Sequence, residues 1–458
     1  MTLSRALVRA FRHAAALPLP PEVETAARLH LLDAIGVGLA AAALDQGRPY
    51  RAFQRGTAGR ASLLTGARSD DAAEAALVNG GLIHALEFDD THTASIVHGS
   101  SVLAPAALAM AEATGTALPA ALTAYTLGYE ALIRIGLAAP GAFQRRGFQV
   151  TPVGGALVTA LMAAHLAGGD EEACVNAIGI ALSQASGVFE FLTNGSTVKS
   201  LHPGWAAHAG LMAARLALAG MTGPDTALEG TRGLFASFAG DQGAADRFAD
   251  LMGDFGQRWH IGDTAFKFLP CCHYLHPFVE AAGALADAGL TADRLAGLVL
   301  RIAEGAAGIV AEPWADKLAP RDGHAIRWSL PVVVAARLVD GRVDHATFSA
   351  PPAPAVLALA ARCRWEPLTP NRFPHAFEAE IEAVASDGTR RTIRIADAHG
   401  NASRPAATAD VTAKFRANAA LSLPDAAALA LESLILTGTE GLAGFGDALA
   451  RSHLRSRS

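Results

Sequence analysis

Apolar residues recur at three- and four-residue spacing through residues 23–43, 72–86, 104–113, 119–137, 156–167 and 171–184, and each stretch reads as a helix. Asn, Gly and Pro punctuate them, with no internal repeat. Strand patterns come later. Residues 295–303 are rich in Leu, Val and Ile with partial alternation. Residues 377–383 alternate apolar and acidic side chains, Asp387-Gly388 makes a turn, and 389–395 continues as a second strand. That predicts a hairpin with one packed face and Glu/Arg partners on the other. Beyond Lys414 the pattern is helical again. The expected fold is mainly α: a large all-helical domain over residues 1–265, a smaller α+β unit over 266–404, and C-terminal helices over 405–458. A cleft between two such units is a common place for a small-molecule site.

Composition narrows the functional classes. In the 458 residues, hydrophobic side chains make up 51%, much of it alanine, and aromatics only 6%, which favours tightly packed helices. With 37 basic and 43 acidic residues the net charge is −6, with no basic run, so nucleic acid is not an expected partner. Cys174, Cys271, Cys272 and Cys363 are too few and too irregular for a disulfide framework, and a reducing cytoplasm is the expected location. Arg5, Arg9 and Arg12 precede a short apolar stretch, but prolines break it and Glu22 and Glu24 follow, so it reads as mature protein and not an export signal. Residues 151–169 are uncharged but hold His165 and several glycines; they read as a buried helix, and no membrane contact is expected.

Chemistry concentrates between Asn79 and Glu112, where His84, Glu87, Asp89, Asp90, Thr91, His92 and His98 interrupt alanine-rich sequence. In a chain with 17% charged residues, such a cluster is what acid/base catalysis requires. If residues 72–91 form one helix, His84, Glu87 and Thr91 fall at i, i+3 and i+7 on one face, and His98 arrives from the loop before the Pro105 helix. The bland alternative is that Asp89 and Asp90 solvate a helix end while His84 is a hydrogen-bonded core histidine. Lys199, in a polar loop before a Gly- and Ala-rich helix, is placed to clamp a substrate carboxylate, or to act as a base if desolvation lowers its pKa; otherwise it is a solvated loop lysine. Cys271-Cys272-His273 with His276 is a weak metal motif, since adjacent thiolates rarely ligate one tetrahedral ion and no second paired block exists, so no metal is expected. No Gly-rich turn follows a strand, which argues against a nucleotide cofactor. Gly195, Gly204 and Gly210 read as close helix packing. Arg134, Arg145 and Arg146 are open between substrate carboxylates and the surface.

The block His84-Ala-Leu-Glu-Phe-Asp-Asp-Thr-His92, five residues, then His98-Gly-Ser-Ser-Val-Leu-Ala-Pro105 resembles the signature of the MmgE/PrpD family. That family includes 2-methylcitrate dehydratase, cis-aconitate decarboxylase and iminodisuccinate epimerase. The resemblance extends through Leu31-Leu-Asp-Ala-Ile-Gly36, Gly128-Tyr-Glu130, Arg146-Gly-Phe-Gln149, Lys199-Ser-Leu-His202-Pro-Gly204, Lys267-Phe-Leu-Pro270-Cys-Cys-His273-Tyr-Leu-His276 and Trp328-Ser-Leu-Pro331. It implies a helical domain made from both chain ends, an α+β lid between them, a homodimer and no cofactor. It also implies catalytic roles for Glu87, Thr91, His98, Lys199 and His276, with Gln149, His84, Asp90, His202, Lys267 and His273 around the substrate. Glu87 stands where the family most often has Asp. Three departures are Gln149 for a usual His, Gly99 for Pro and Val332 for Tyr; an amide cannot exchange protons near neutral pH. The implied activity is a lyase that abstracts a proton beside a carboxylate of a small di- or tricarboxylic acid and expels water. On this reading His98, oriented by Glu87 and Thr91, carries one proton, and His276 is the opposing acid or base. The alternatives are a two-base epimerase or racemase of an aspartate-derived acid, a decarboxylase of a cis-aconitate-like acid, and a non-catalytic helical scaffold.

Overall fold

A computed structural model of the chain describes residues 1–373 and 375–452, with Asn194 as backbone only. It contains two compact units, residues 1–264 with 407–458 and residues 265–406. Each has its own hydrophobic core.

The first unit is built from α1 (Leu3–Ala15), α2 (Pro21–Ala43), α3 (Ala72–His84), α4 (Gly99–Thr114), α5 (Leu118–Ala138), α6 (Val150–Leu166), α7 (Glu171–Leu182) and α8 (Leu201–Leu218). Helices from the far end of the chain, Thr408–Ala419 and Asp425–Thr437, complete it by packing on α2. A two-residue ladder pairs Ala61 with Ser69 and Ser62 with Arg68, a strand feature too short to show in the sequence pattern. The long helix α2 is apolar and long enough to cross a membrane, but 89% of its most apolar window is buried in the protein. It is a core helix that carries the buried polar side chains Arg28, His30 and Asp33. Stretch 151–169 is likewise the buried helix α6.

Small residues set the helix spacing. A Cβ on Gly204 of α8 would lie 2.3 Å from the Leu77 carbonyl oxygen, and one on Gly80 of α3 would lie 2.8 Å from Gly204 Cα. Glycine alone permits this approach, and it sets the end of α3 beside the start of α8.

In the second unit α9 (His276–Asp287) and α10 (Leu330–Val339) accompany a four-stranded sheet of β1 (Leu295–Ile302), β2 (Cys363–Pro367), β3 (Ala379–Ala385) and β4 (Arg390–Ile395), in the order β2-β1-β3-β4. Strands β1 and β2 run parallel; the other pairings are antiparallel. The hairpin expected from the alternation is present, with Ile381 opposite Ile393. Ala379, Ile381, Ala383 and Ala385 are buried, while Glu380 and Glu382 each meet Arg301 at 2.8 Å on the other face.

Candidate active site

The segment after α3 departs from the single helix that the 72–91 spacing suggested. The helix stops at His84, and Glu87 takes a left-handed backbone with φ 54°. His84 Nδ1 binds Asp89 Oδ2 at 2.8 Å, a side-chain contact that ties the acidic run back to the helix end. Glu87 therefore reaches its partner from a turn.

That turn is held from behind by side chains the sequence reading passed over. Lys414, on the Thr408–Ala419 helix, pairs with Asp33 of α2 at 2.7 Å, donates to the Phe88 carbonyl at 2.9 Å and lies 3.9 Å over the Phe88 ring. Burial lowers the Lys414 pKa, opposed by Asp33. Burial likewise raises Asp33 to about 6, against the pull of Lys414. Asp90 is closed by His30 at 2.9 Å and by the Ser100 hydroxyl, which in turn meets Tyr125. The available signal was polar residues inside apolar helices: His30 and Asp33 in α2, Ser100 in α4.

On this base stand the candidate side chains. Lys199, on the 3₁₀ turn Thr197–Ser200 that leads into α8, binds both oxygens of Glu87, one at 2.5 Å. The Lys199 and Glu87 side chains are 17% and 8% exposed, which leaves the pair within reach of a small solute but poorly screened. His98, at the N-terminus of α4, takes its backbone position from Thr151, whose hydroxyl accepts its N–H at 3.0 Å. Its Nδ1 lies 3.0 Å from Thr91 Oγ1 and 3.0 Å from the Asp90 carbonyl. A carbonyl only accepts, so Nδ1 carries a hydrogen, and Nε2 is the ring atom left to take up or give a proton. The His84 ring stands 5.0 Å from that of His98, and its Nε2 is buried with no hydrogen-bond partner among the described residues. At the head of α8, His202 Nδ1 lies 2.8 Å from Gln149 Oε1. Burial first, then the charges of His84 and Lys199, pull the His202 pKa down to about 4.

Of the residues expected in the site, the first unit thus groups Glu87 with Lys199, Thr91 and Asp90 with His98, His84 with Asp89, and Gln149 with His202. The remaining three belong to the second unit. Lys267, His273 and His276 are all buried there, with the His273 ring 4.8 Å from His276 and 5.0 Å from Phe377. Arg134 is a core residue, bound to Glu130 and, at 3.0 Å, to Asp254, whereas Arg145 and Arg146 are exposed. Burial raises the Cys174 thiol and pushes Cys363 up to about 12, so both behave as small buried apolar groups.

Among the described residues, His84, Asp89 and His98 form the one grouping with metal-ligand spacing, their donor atoms within 4.8 Å of one another. Hydrogen bonds to Asp89, Thr91 and the Asp90 carbonyl already engage Nδ1 of both imidazoles, and an ion held through those atoms would have to displace them.

Known proteins share similarity with most of the chain. The cis-aconitate decarboxylase of Homo sapiens is 29% identical over 369 residues, spanning 76% of this chain and 73% of its own. That of Mus musculus is 28% identical over 421 residues, spanning 86% and 82%. A cis-aconitate decarboxylase of Aspergillus terreus is 31% identical over 217 residues, spanning 45% and 44%. The MmgE/PrpD C-terminal domain description matches residues 269–437. The MmgE/PrpD N-terminal domain description matches residues 6–246, more than half of the sequence, and the chain belongs to the MmgE/PrpD family.

Proposed function

We propose that the protein is a lyase acting on a small di- or tricarboxylic acid, removing a proton from the carbon beside a carboxylate and expelling water from the neighbouring carbon. The observation that carries this reading is the juxtaposition, in one buried part of the first unit, of the Lys199 ammonium with imidazoles whose Nδ1 atoms are held by oxygen acceptors. A substrate carboxylate that shares Lys199 with Glu87 is neutralised there, and negative charge developing on the adjacent carbon is stabilised where water screens it little. His98, fixed by Thr91 and the Asp90 carbonyl, handles a proton. Glu87 keeps the ammonium in place before substrate arrives.

Decarboxylation is the second reading. It is favoured by the name of the relatives, and it draws on the same ammonium to stabilise carbanion character. Epimerisation needs the same proton transfer without loss of a group. Incubation of citrate-, cis-aconitate- and aspartate-derived acids in deuterated buffer separates the three. Loss of water from a hydroxy acid gives an absorbing unsaturated product. Decarboxylation releases carbon dioxide with deuterium at the vacated carbon. Epimerisation places deuterium at a stereocentre with the carbon skeleton and hydroxyl count unchanged. Failure to transform any acid of these classes overturns the proposal.

A further inference from the structure

We propose that His202 is a second proton carrier of this site and that Gln149 is its positioning residue, an inference that rests on the lyase reading above. Gln149 caps the start of α6, its own N–H bonded to the Gly187 carbonyl at 2.9 Å, so its side chain springs from a fixed backbone. The amide oxygen meets His202 Nδ1 at 2.8 Å. An amide oxygen is an acceptor, so Nδ1 holds the hydrogen and Nε2 the lone pair. The ring is walled by Phe191, centroid to centroid 5.8 Å, and by Gly187, where a Cβ would stand 3.5 Å from His202 Cγ and 2.4 Å from Pro152. The residue is 7% exposed, so the ring is largely withdrawn from water without being fully enclosed. The amide at 149 cannot itself exchange a proton, but it orients an imidazole that can.

The charged groups that face His202 are His84 at the end of α3 and Lys199 on the turn before α8, while α6 offers it the neutral Gln149. Both oppose a positive charge on the ring, and burial opposes it more, so the ring stays neutral down to about pH 4. A neutral imidazole near a carboxylate-binding ammonium is suited to be the base. In the step we assign to it, the proton on the carbon beside the bound carboxylate passes to Nε2. The C–H electron pair becomes the new π bond, and the hydroxyl leaves as water with a proton from the imidazolium of His98. Asp89, 3.9 Å from His98, offers that imidazolium a counter-charge. This gives the first unit an acid and a base of its own.

Three variants test the assignment, with the acid that the wild-type protein turns over as substrate. His202→Asn keeps a donor toward Gln149 but removes the base, and kcat is expected to fall at least about 100-fold with KM changed less than about 3-fold. Gln149→Leu, which removes the orienting acceptor, is expected to lower kcat about 10-fold. Gln149→Glu sets a carboxylate against Nδ1–H, favours the imidazolium, and is expected to move the acid limb of kcat/KM to higher pH by about one unit. Nitrogen-15 spectra of the imidazoles, with the His202 signals assigned by their loss in His202→Asn, follow the same group without turnover. They are expected to show a neutral Nδ1–H ring between pH 5 and 8 in wild type (a window set by the ordinary histidine pKa of about 6.5) and a raised titration in Gln149→Glu. Full kcat in His202→Asn, an unmoved acid limb in a folded Gln149→Glu, or ordinary titration of His202 in wild type overturns the assignment while leaving the lyase reading intact. A wild-type protein inert toward every acid overturns that reading, and the assignment with it.

Discussion

Glu87 combines a left-handed backbone, φ 54°, with a carboxylate closed on Lys199. For a residue with a Cβ that conformation costs roughly 1–2 kcal/mol, so it persists because surrounding contacts fix it. Lys199 is one such contact, and the one on which the proposed chemistry depends. Lys199→Met keeps the length of the side chain and removes the charge; kcat/KM is expected to fall about 100- to 1000-fold in steady-state assays, the size of effect seen when one preorganised donor is lost. Glu87→Gln leaves the ammonium without its counter-ion, and KM is expected to change more than kcat; an unchanged KM would show that the pair is not where substrate binds. His98, Thr91 and Lys199 were legible as candidates from residue type and family resemblance, because they lie in short polar runs of an alanine-rich chain. Their pairing was not. Glu87 and Lys199 are far apart in sequence, and a helical reading of the 72–91 run placed Glu87 on a face with His84, when a turn carries it to Lys199. The support beneath the site was also hidden, since Asp33 and Lys414 meet only because the C-terminal helices return to α2.

At the scale of elements, the crossing of α3 and α8 brings His84 toward Lys199 and His202. Gly80 and Gly204 allow the two backbones to touch, and a methyl group at Gly204 would meet the Leu77 carbonyl oxygen at 2.3 Å, a backbone atom that cannot swing aside. Gly204→Ala is expected to destabilise the protein by about 1–3 kcal/mol, as overpacking does. It is also expected to lower kcat out of proportion, because α8 carries both Lys199 and His202 at its head. Urea titration beside an activity assay checks this: an active, destabilised variant would show that the crossing serves stability alone. Periodicity located most helices of the first unit and the β3–β4 hairpin, since each buries one stripe or one face. It missed where α3 ends, because the contact between the His84 and Asp89 side chains at that end leaves no mark in the hydropathy pattern. Nothing local could show that the 407–458 segment joins the first unit.

For the molecule as a whole, buried imidazoles set the acid limit. Burial, reinforced by His260, lowers His92 to about 3; burial, with the Arg134 and Arg258 charges, lowers His260 to about 4, and His202 lies near 4 as well. In the unfolded chain each takes a proton near its ordinary value of about 6.5. Between that pH and the folded value the unfolded state binds more protons, so stability is intact above about 6.5 and declines as pH falls, by up to about 1.4 kcal/mol per pH unit for each ring. Asp33, raised to about 6, works in the opposite sense, since the folded state holds a proton there that the unfolded chain releases; Glu112 and Glu130, also raised by burial, add to it. A bare pH–stability curve therefore mixes both signs, and a difference measurement isolates one group. His92 is the choice, buried beside Ser95 with its Nδ1 2.7 Å from Oγ, and read by stability, not turnover. His92→Gln cannot titrate. Its stability relative to wild type, from urea unfolding at matched pH, is expected to improve steadily as pH falls from about 6.5 toward 5, whatever its offset at pH 7. A constant difference across that range would mean that His92 takes up its proton as readily in the folded protein as in the unfolded one, and that burial does not hold it neutral.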